Sequence, residues 1–328
     1  MTVAIPLLRW YRAGHRDLPW RRTRDPYRIW VSEIMLQQTR AEAAIPYYER
    51  FLERYPTAAA LAAAPLDEVL TSWSGLGYYS RARNLHKAAR LMNGVFPSEY
   101  AAIRDLPGVG DYTAAAIASM AFGLPYAALD GNVMRVAARL TNDAADIGAS
   151  RTRARFRETA QEWLDRRHAG AFNQAMMELG ATVCLPRAPR CEVCPLAAIC
   201  AARRAGSERQ LPVKARKTAP VKVAMAVAVV VRRERLLLWQ RPPDAGRLAG
   251  FWELPALEQL PEWSGMREVG RFRHTITHHH YEVAVWTGKA RGGRTMRWVP
   301  IESLERIPLS TTARKALALT RQPGAAKR

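Results

Sequence analysis

The chain has 328 residues, 48% of them hydrophobic, which is enough to bury two cores and excludes disorder as the default state. Lysine and arginine number 50 against 29 acidic residues, a formal charge of +21, so a polyanionic partner is favoured because each neutralised phosphate releases condensed counterions. Nucleic acid leads among such partners and an anionic membrane surface follows. No run is long and apolar enough to span a bilayer, the start M-T-V-A-I-P-L-L-R-W-Y lacks the pattern of a signal peptide, and all four cysteines fall between Cys184 and Cys200. A soluble, cytoplasmic protein with a metal-binding loop is expected, not a disulfide framework.

From residue 1 to 207 apolar residues recur at helical spacing between caps and Gly/Pro turns, so this part is predicted to be a helical domain. In P-Y-R-I-W-V-S-E-I-M-L-Q-Q-T, the three-and-four rule puts Ile29, Trp30, Glu33, Ile34 and Gln37 on one helix face. Glu33 then sits in an apolar stripe, where a carboxyl is solvated in a cavity or has a raised pKa that suits a general acid; a surface glutamate near a helix start is the plain alternative. In G-L-G-Y-Y-S, adjacent tyrosines face different ways, so one of Tyr78 and Tyr79 can be core while the other projects.

L-P-G-V-G-D-Y-T-A-A-A-I, from Leu106 to Ile117, joins a two-glycine turn to a small-residue helix whose free N–H groups can receive an anion. On glycine spacing alone it would be an ordinary helix-to-helix turn. Asp130 in A-L-D-G-N-V precedes a new helical run, which by itself makes it a helix N-cap. Cys184, Cys191, Cys194 and Cys200 leave six, two and five residues between them. Four soft thiolates so spaced suit an iron–sulfur cubane, and a zinc knuckle is the alternative.

Residues 208–222, E-R-Q-L-P-V-K-A-R-K-T-A-P-V-K, mix Pro with Lys and Arg without periodicity and read as a solvated linker. After it, K-V-A-M-A-V-A-V-V-V and R-L-L-L-W-Q-R flank the turn R-R-E-R as a hairpin. R-F-R-H-T-I-T-H-H-H-Y-E-V-A-V-W and T-M-R-W-V-P are further strands, and a last helix lies near Ser310 to Leu319. Residues 223–320 are therefore a smaller α+β domain, and 321–328 a disordered tail. His274, His278, His279 and His280 lack a nearby carboxylate or cysteine to complete a metal shell, so solvated or phosphate-facing rings are expected.

The ordered set V-S-E-I-M-L-Q-Q-T, G-L-G-Y-Y-S-R-A-R-N-L, L-P-G-V-G-D-Y-T-A, L-D-G-N-V and F-N-Q-A-M-M-E-L-G-A, followed by the cysteine loop, resembles the adenine DNA glycosylases of the MutY type. These are helix-hairpin-helix enzymes of the endonuclease III superfamily, and the likeness covers about the first two-thirds of the chain. It implies a mainly α glycosylase fold with a 4Fe–4S cluster on Cys184, Cys191, Cys194 and Cys200 in the loop 184–200. Glu33 would protonate adenine at N7 and then help activate water, Asp130 would stabilise the oxocarbenium ion or trap it covalently, and Tyr112 and Asn132 would orient them. Trp20, Arg21 and Glu178 would line the pocket of the extruded adenine. Gln38 and Thr39 would contact the opposite base, Leu76 and Tyr78 would form a wedge, and Leu106, Gly108 and Gly110 would hold the DNA backbone.

Bifunctional relatives carry a nucleophilic lysine where this chain has Tyr112, so the resemblance implies a monofunctional enzyme that leaves an abasic site. R-P-P-D-A-G-R-L-A-G-F-W-E-L-P resembles the start of a Nudix-like domain, but the Arg- and Glu-dense metal-binding helix of a hydrolase does not follow. Binding without pyrophosphate hydrolysis is implied. Such a domain senses 8-oxoguanine through Phe-Ser-His, where this chain has Ile276, Thr277 and His278. The expected substrate is duplex DNA with adenine opposite 8-oxoguanine or guanine, bound by a monomer that associates with the nucleoid through DNA.

Overall fold

The structure is a computed structural model that describes residues 2–215, 219, 221–242, 244–245, 248–276 and 278–321. The helices in chain order are α1 (Ala4–Ala13), α2 (Pro26–Leu36), α3 (Ala41–Arg54), α4 (Ala58–Ala63), α5 (Leu66–Ser72), α6 (Ser80–Leu91), α7 (Tyr100–Arg104), α8 (Asp111–Phe122), α9 (Gly131–Thr141), α10 (Ser150–Trp163), α11 (Ala169–Thr182), α12 (Ala201–Ala205) and α13 (Thr311–Arg321). The chain divides into two compact units: Met1–Ala62 with Lys87–Arg216, and Ala63–His86 with Lys217–Arg328. Residues 63–86 thus group with the C-terminal part, although they are helical and lie within the expected 1–207 domain.

In the first unit, local chemistry sets the helix starts that matter for function. The Asp25 carboxylate accepts from the Tyr27 N–H at 2.9 Å and Pro26 opens α2, a preorganised start in which the missing proline N–H costs no bond. Asp130 caps α9 through the Val133 N–H at 2.7 Å. Every residue from Val31 to Met35 is buried, so α2 is a central helix, not one with a single apolar face. Small residues let α8 come close: Ala114, Ala115, Ala116 and Ala118 are all buried, and α8 packs on α2, α7 and α11. The main core gathers Leu7, Val136, Phe172, Met176 and Leu179 from α1, α9 and α11.

Residues 208–215 are not a free linker. Leu211 is buried in the core of this unit, its carbonyl accepts from Arg139 at 2.9 Å, and Val213 accepts from the Ile147 N–H at 3.0 Å. The buried Leu211 side chain and the backbone carbonyls of Leu211 and Val213 tie this segment down.

Among its described residues the second unit holds seven strands: β1 (Val221–Val229), β2 (Val231–Arg232), β3 (Arg235–Gln240), β4 (Trp252–Glu253), β5 (Glu262–Ile276), β6 (His279–Arg291) and β7 (Met296–Pro300). One sheet has the order β1-β6-β5, with β1 and β6 parallel; the other runs β2-β3-β4, with β7 also paired to β3. The expected hairpin is therefore only β2 to β3, turning at Arg233 and Glu234 with φ of 49° and 57°, while β1 belongs to the other sheet. The long histidine-containing run, expected as strand, folds as the antiparallel pair β5 and β6. Where a Nudix hydrolase carries its helix, only a single 3₁₀ turn forms at Leu257–Gln259, in keeping with Pro255 and Pro261 on either side. Val227, Leu236, Val283 and Val285 form the core with α13. The expected disordered tail, 321–328, lies outside the described residues except for the backbone of Arg321, which ends α13.

Candidate active site

A cleft of about 640 Å³ in the first unit is lined by Trp20, Arg21, Glu33, Gln38, Thr39, Tyr112, Asp130 and Asn132, all expected from sequence. Five segments supply them: the turn before α2, α2 itself, the connection from α2 to α3, the start of α8 and the start of α9. Such a volume is in the range that encloses a small organic ligand, about 300–1,000 Å³.

Glu33 is 4% exposed, and burial pushes its carboxyl up to about 7, with Asp130 adding to the rise. The Tyr112 hydroxyl donates to Glu33 Oε2 at 2.6 Å, which pulls the other way without cancelling the burial. Tyr112 in turn is pushed well above the usual phenol range by burial beside Glu33, so it remains a donor at neutral pH. Asp130 is also raised by burial, opposed by the Val133 N–H and by the Asn132 amide, which donates to Oδ2 at 2.8 Å. Two carboxyls thus share one cleft: one is protonated near neutrality and the other is tied by two donors that favour its anion. That pairing can deliver a proton and face a developing cation.

Asn132 is itself held. Arg135 donates to Asn132 Oδ1 at 2.8 Å, to the Gly180 carbonyl at 2.7 Å and to the Cys184 carbonyl at 2.7 Å. Arg135 shows no spacing that marks it in sequence; it is found only because α9, α11 and the start of the cysteine loop meet there.

Glu178 does not line the cleft as expected. Its side chain is 2% exposed and accepts from Arg16 at 2.9 Å and Arg21 at 2.7 Å, one layer behind the wall. These bonds hold it down to about 2 despite its burial. Glu178 therefore fixes two guanidiniums that do reach the cleft. Arg16 was not legible in H-R-D-L-P-W-R; the only signal for it was that a glutamate inside an apolar helix needs a buried cation.

At the glycine turn, Gly108 has φ of 79°, a left-handed conformation that glycine adopts without strain, and Gly110 caps α8. Asp111, the first residue of α8, pairs with Arg157 at 3.0 Å and with Arg104. Leu106 is half-buried beside the turn. In the second unit, Tyr79 is buried against Phe251 with ring centroids 4.1 Å apart, while Tyr78 is 42% exposed. The division between core and projecting tyrosine is as the sequence suggested. Leu76, expected beside Tyr78 in the wedge, is buried, so Tyr78 is the side chain of the two that projects. His278 sits exposed in the turn between β5 and β6, its ring 4.2 Å from that of His279; Thr277 lies outside the described residues.

All four cysteines line one cavity, with Arg139 donating to Cys184 Sγ at 3.2 Å. Burial pushes the Cys194 thiol up to about 11, a penalty that bound cationic metal relieves. The donor set fits a thiolate-bound group. Among the described residues no group of three His, Cys, Asp or Glu side chains is arranged to hold a single metal ion.

Residues 31–162 match the model of the HhH-GPD superfamily of base excision DNA repair proteins, and residues 226–319 match a NUDIX domain. The fold and cleft thus define a helix-hairpin-helix DNA N-glycosylase with a Nudix-like second domain. A thermostable thymine-DNA glycosylase of known structure superposes with a TM-score of 0.55 at 32% identity, over 61% of this chain and 94% of its own. Human adenine DNA glycosylase is 34% identical over 97% of this chain and 74% of its own length, and the rat protein is 34% identical over 94% and 76%. The chain belongs to the adenine DNA glycosylase family.

Proposed function

We propose that the protein excises adenine paired with 8-oxoguanine or guanine in duplex DNA, as a monofunctional, monomeric, cytoplasmic enzyme of base excision repair. The observation that carries this reading is the buried Glu33, held near neutrality and hydrogen-bonded by Tyr112, in one cleft with the doubly anchored Asp130. The target nucleotide leaves the base stack and enters the cleft beside Trp20, Arg16 and Arg21. The Glu33 carboxyl gives its proton to adenine N7. The bond from C1′ to N9 then breaks, with its electron pair leaving on the base.

The Asp130 carboxylate faces the oxocarbenium ion, by electrostatics or by a transient covalent bond. Water adds at C1′ and yields its proton to the Glu33 carboxylate, leaving an abasic sugar. Tyr112 has no amine, so no imine with C1′ forms and strand scission does not follow.

Gly108 and the N-terminus of α8 support a backbone contact, and Gln38 and Thr39 line the same cleft for the opposite base. Tyr78 supports a wedge role by its exposure. In the second unit, His278 and Thr277 would meet 8-oxoguanine. A 4Fe–4S cluster on Cys184, Cys191, Cys194 and Cys200 is favoured over a zinc knuckle by the uneven spacing of the four cysteines, which line one cavity and would hold it. When bound it would supply a structural cross-link of the loop, and no step of base removal is routed through it. Arg187 and Arg190, both exposed on that loop, would face phosphates.

The test is a panel of duplexes containing A opposite 8-oxoguanine, G and C, incubated with the protein and treated with or without alkali. Adenine release, with strand breaks appearing only after alkali, is expected on the first two. No release on either would overturn the reading, and breaks without alkali would overturn its monofunctional part.

A further inference from the structure

Glycine inside a helix costs about 1 kcal/mol relative to alanine, so a helical glycine with no turn to make calls for a reason in its surroundings. Gly180 lies within α11, and its backbone is not in the left-handed region. A Cβ there would stand 2.5 Å from Asn132 Cβ and 3.1 Å from both the Asn132 Cα and its carbonyl oxygen. No real side chain fits that space, so any substitution must push the first turn of α9 away. That turn holds both carboxylate oxygens of Asp130, through the Val133 N–H on Oδ1 and the Asn132 amide on Oδ2. The Gly180 carbonyl also accepts from Arg135, whose same terminal nitrogen donates to Asn132 Oδ1.

We propose that Gly180 is a positioning residue for base excision: by its missing side chain and its carbonyl it sets where Asn132 lies, and through Asn132 where the Asp130 carboxylate points. The proposal rests on the reading of Asp130 as the group that faces the oxocarbenium ion. Gly180 touches no substrate. Misplacing a reacting group by about 1 Å can cost about 100-fold in rate, so the effect should appear in the chemical step.

Gly170 provides an internal control on the same helix. A Cβ there would meet the Ser119 carbonyl at 2.7 Å and the Met120 Cα at 3.0 Å, on α8, and its nearest neighbours are not the groups that hold Asp130. Both glycines allow close helix packing, but only one of them lies against the Asp130 anchor.

The experiment is single-turnover adenine release at saturating full-length protein, together with duplex affinity and melting temperature, for Gly180→Ala, Gly170→Ala, Asn132→Gly, Asn132→Gly/Gly180→Ala and Asp130→Asn. Gly180→Ala should slow the chemical step roughly 10- to 100-fold with duplex affinity unchanged. Gly170→Ala should lower the melting temperature and leave the chemical rate near that of the parent. In the Asn132→Gly background, where the clashing Cβ is gone, Gly180→Ala should add less than about a twofold further loss, the non-additivity expected of residues in contact. A Gly180→Ala protein that folds only in that background supports the clash as well.

The proposal is overturned if Gly180→Ala keeps the parent rate, if its loss is as large with Asn132→Gly as without, or if rate and duplex affinity fall together. An unimpaired Asp130→Asn variant would instead remove the reading of Asp130 on which the proposal rests, whatever Gly180 does.

Discussion

On the proposed reading the two units carry function in opposite ways. In the helical unit the proposed chemistry is buried: Glu33 and the side chain of Glu178 are 4% and 2% exposed, and each has partners from elements distant in the chain. In the strand-bearing unit, His278 sits exposed on a hairpin turn and the acidic helix of a Nudix hydrolase is reduced to one 3₁₀ turn. A site that performs acid–base chemistry needs desolvation to move a carboxyl toward neutrality. A site that only recognises a base can work at the surface with single hydrogen bonds. Substitutions should therefore be severe in the first unit and graded in the second.

The largest effect is expected at Glu33. Glu33→Gln keeps shape and burial but removes the proton, so adenine release should fall by about 10²- to 10⁴-fold while duplex binding persists, as read by single-turnover kinetics and a gel-shift titration. Glu178→Gln should be nearly as costly, but in stability: it leaves Arg16 and Arg21 with their shared carboxylate lost, and breaking a buried pair costs about 3–5 kcal/mol in urea unfolding. If Glu178→Gln unfolded like the parent, the buried network would not be the support that the geometry describes.

The pH dependence follows with its sign fixed by the two directions. On the proposed reading Glu33 acts as acid in its protonated form, so excision should decline as pH rises through about 7; Asp130, raised from the usual carboxylate range, gives a loss on the acidic side. Stability runs the other way for Glu178. Its pKa is depressed, so its contribution is present above the ordinary glutamate range and lost as pH falls toward about 2. Urea midpoints measured from pH 6 to pH 2 check this, and Glu178→Gln should flatten that slope.

Tyr112→Phe removes one hydrogen bond to Glu33 and should slow excision by about 10- to 100-fold, from the roughly 1.5–3 kcal/mol of a bond to a charged or ionising group. The smallest effect is expected in the second unit. His278→Ala should lower the preference for adenine opposite 8-oxoguanine over guanine by about tenfold or less, without changing the rate on the guanine pair. A loss on both pairs would erase the proposed contrast between chemistry and recognition.

Much of the cleft was legible because each motif is local. Asp130 followed by Gly131-Asn132 marks a helix start, and a helix start is where a carboxylate can be both a cap and a reactive group. Glu33 stood out through apolar periodicity even though α2 proved buried on nearly every side. Arg16, Arg135 and Gly180 were not legible, because their roles depend on what lies across space from them and not on their neighbours in the chain. Glu178 was found, but was placed in the pocket wall and not behind it, since burial depth leaves no mark in a helical motif. In the second unit, one long strand-like run hid the turn at His278, because a histidine stands where Gly, Asn or Asp usually marks a turn. Leu211 likewise anchored a segment whose composition suggested solvent.

The most direct test of the central claim, that Glu33 acts as the proton donor for adenine release, is the pH profile of single-turnover excision on an A:8-oxoguanine duplex, measured for the parent and for Glu33→Gln. The parent should lose rate as pH rises past about 7, and Glu33→Gln should show a residual rate without that limb. A parent profile with no fall through that range, or a Glu33→Gln variant that keeps both its rate and the alkaline limb, would contradict it.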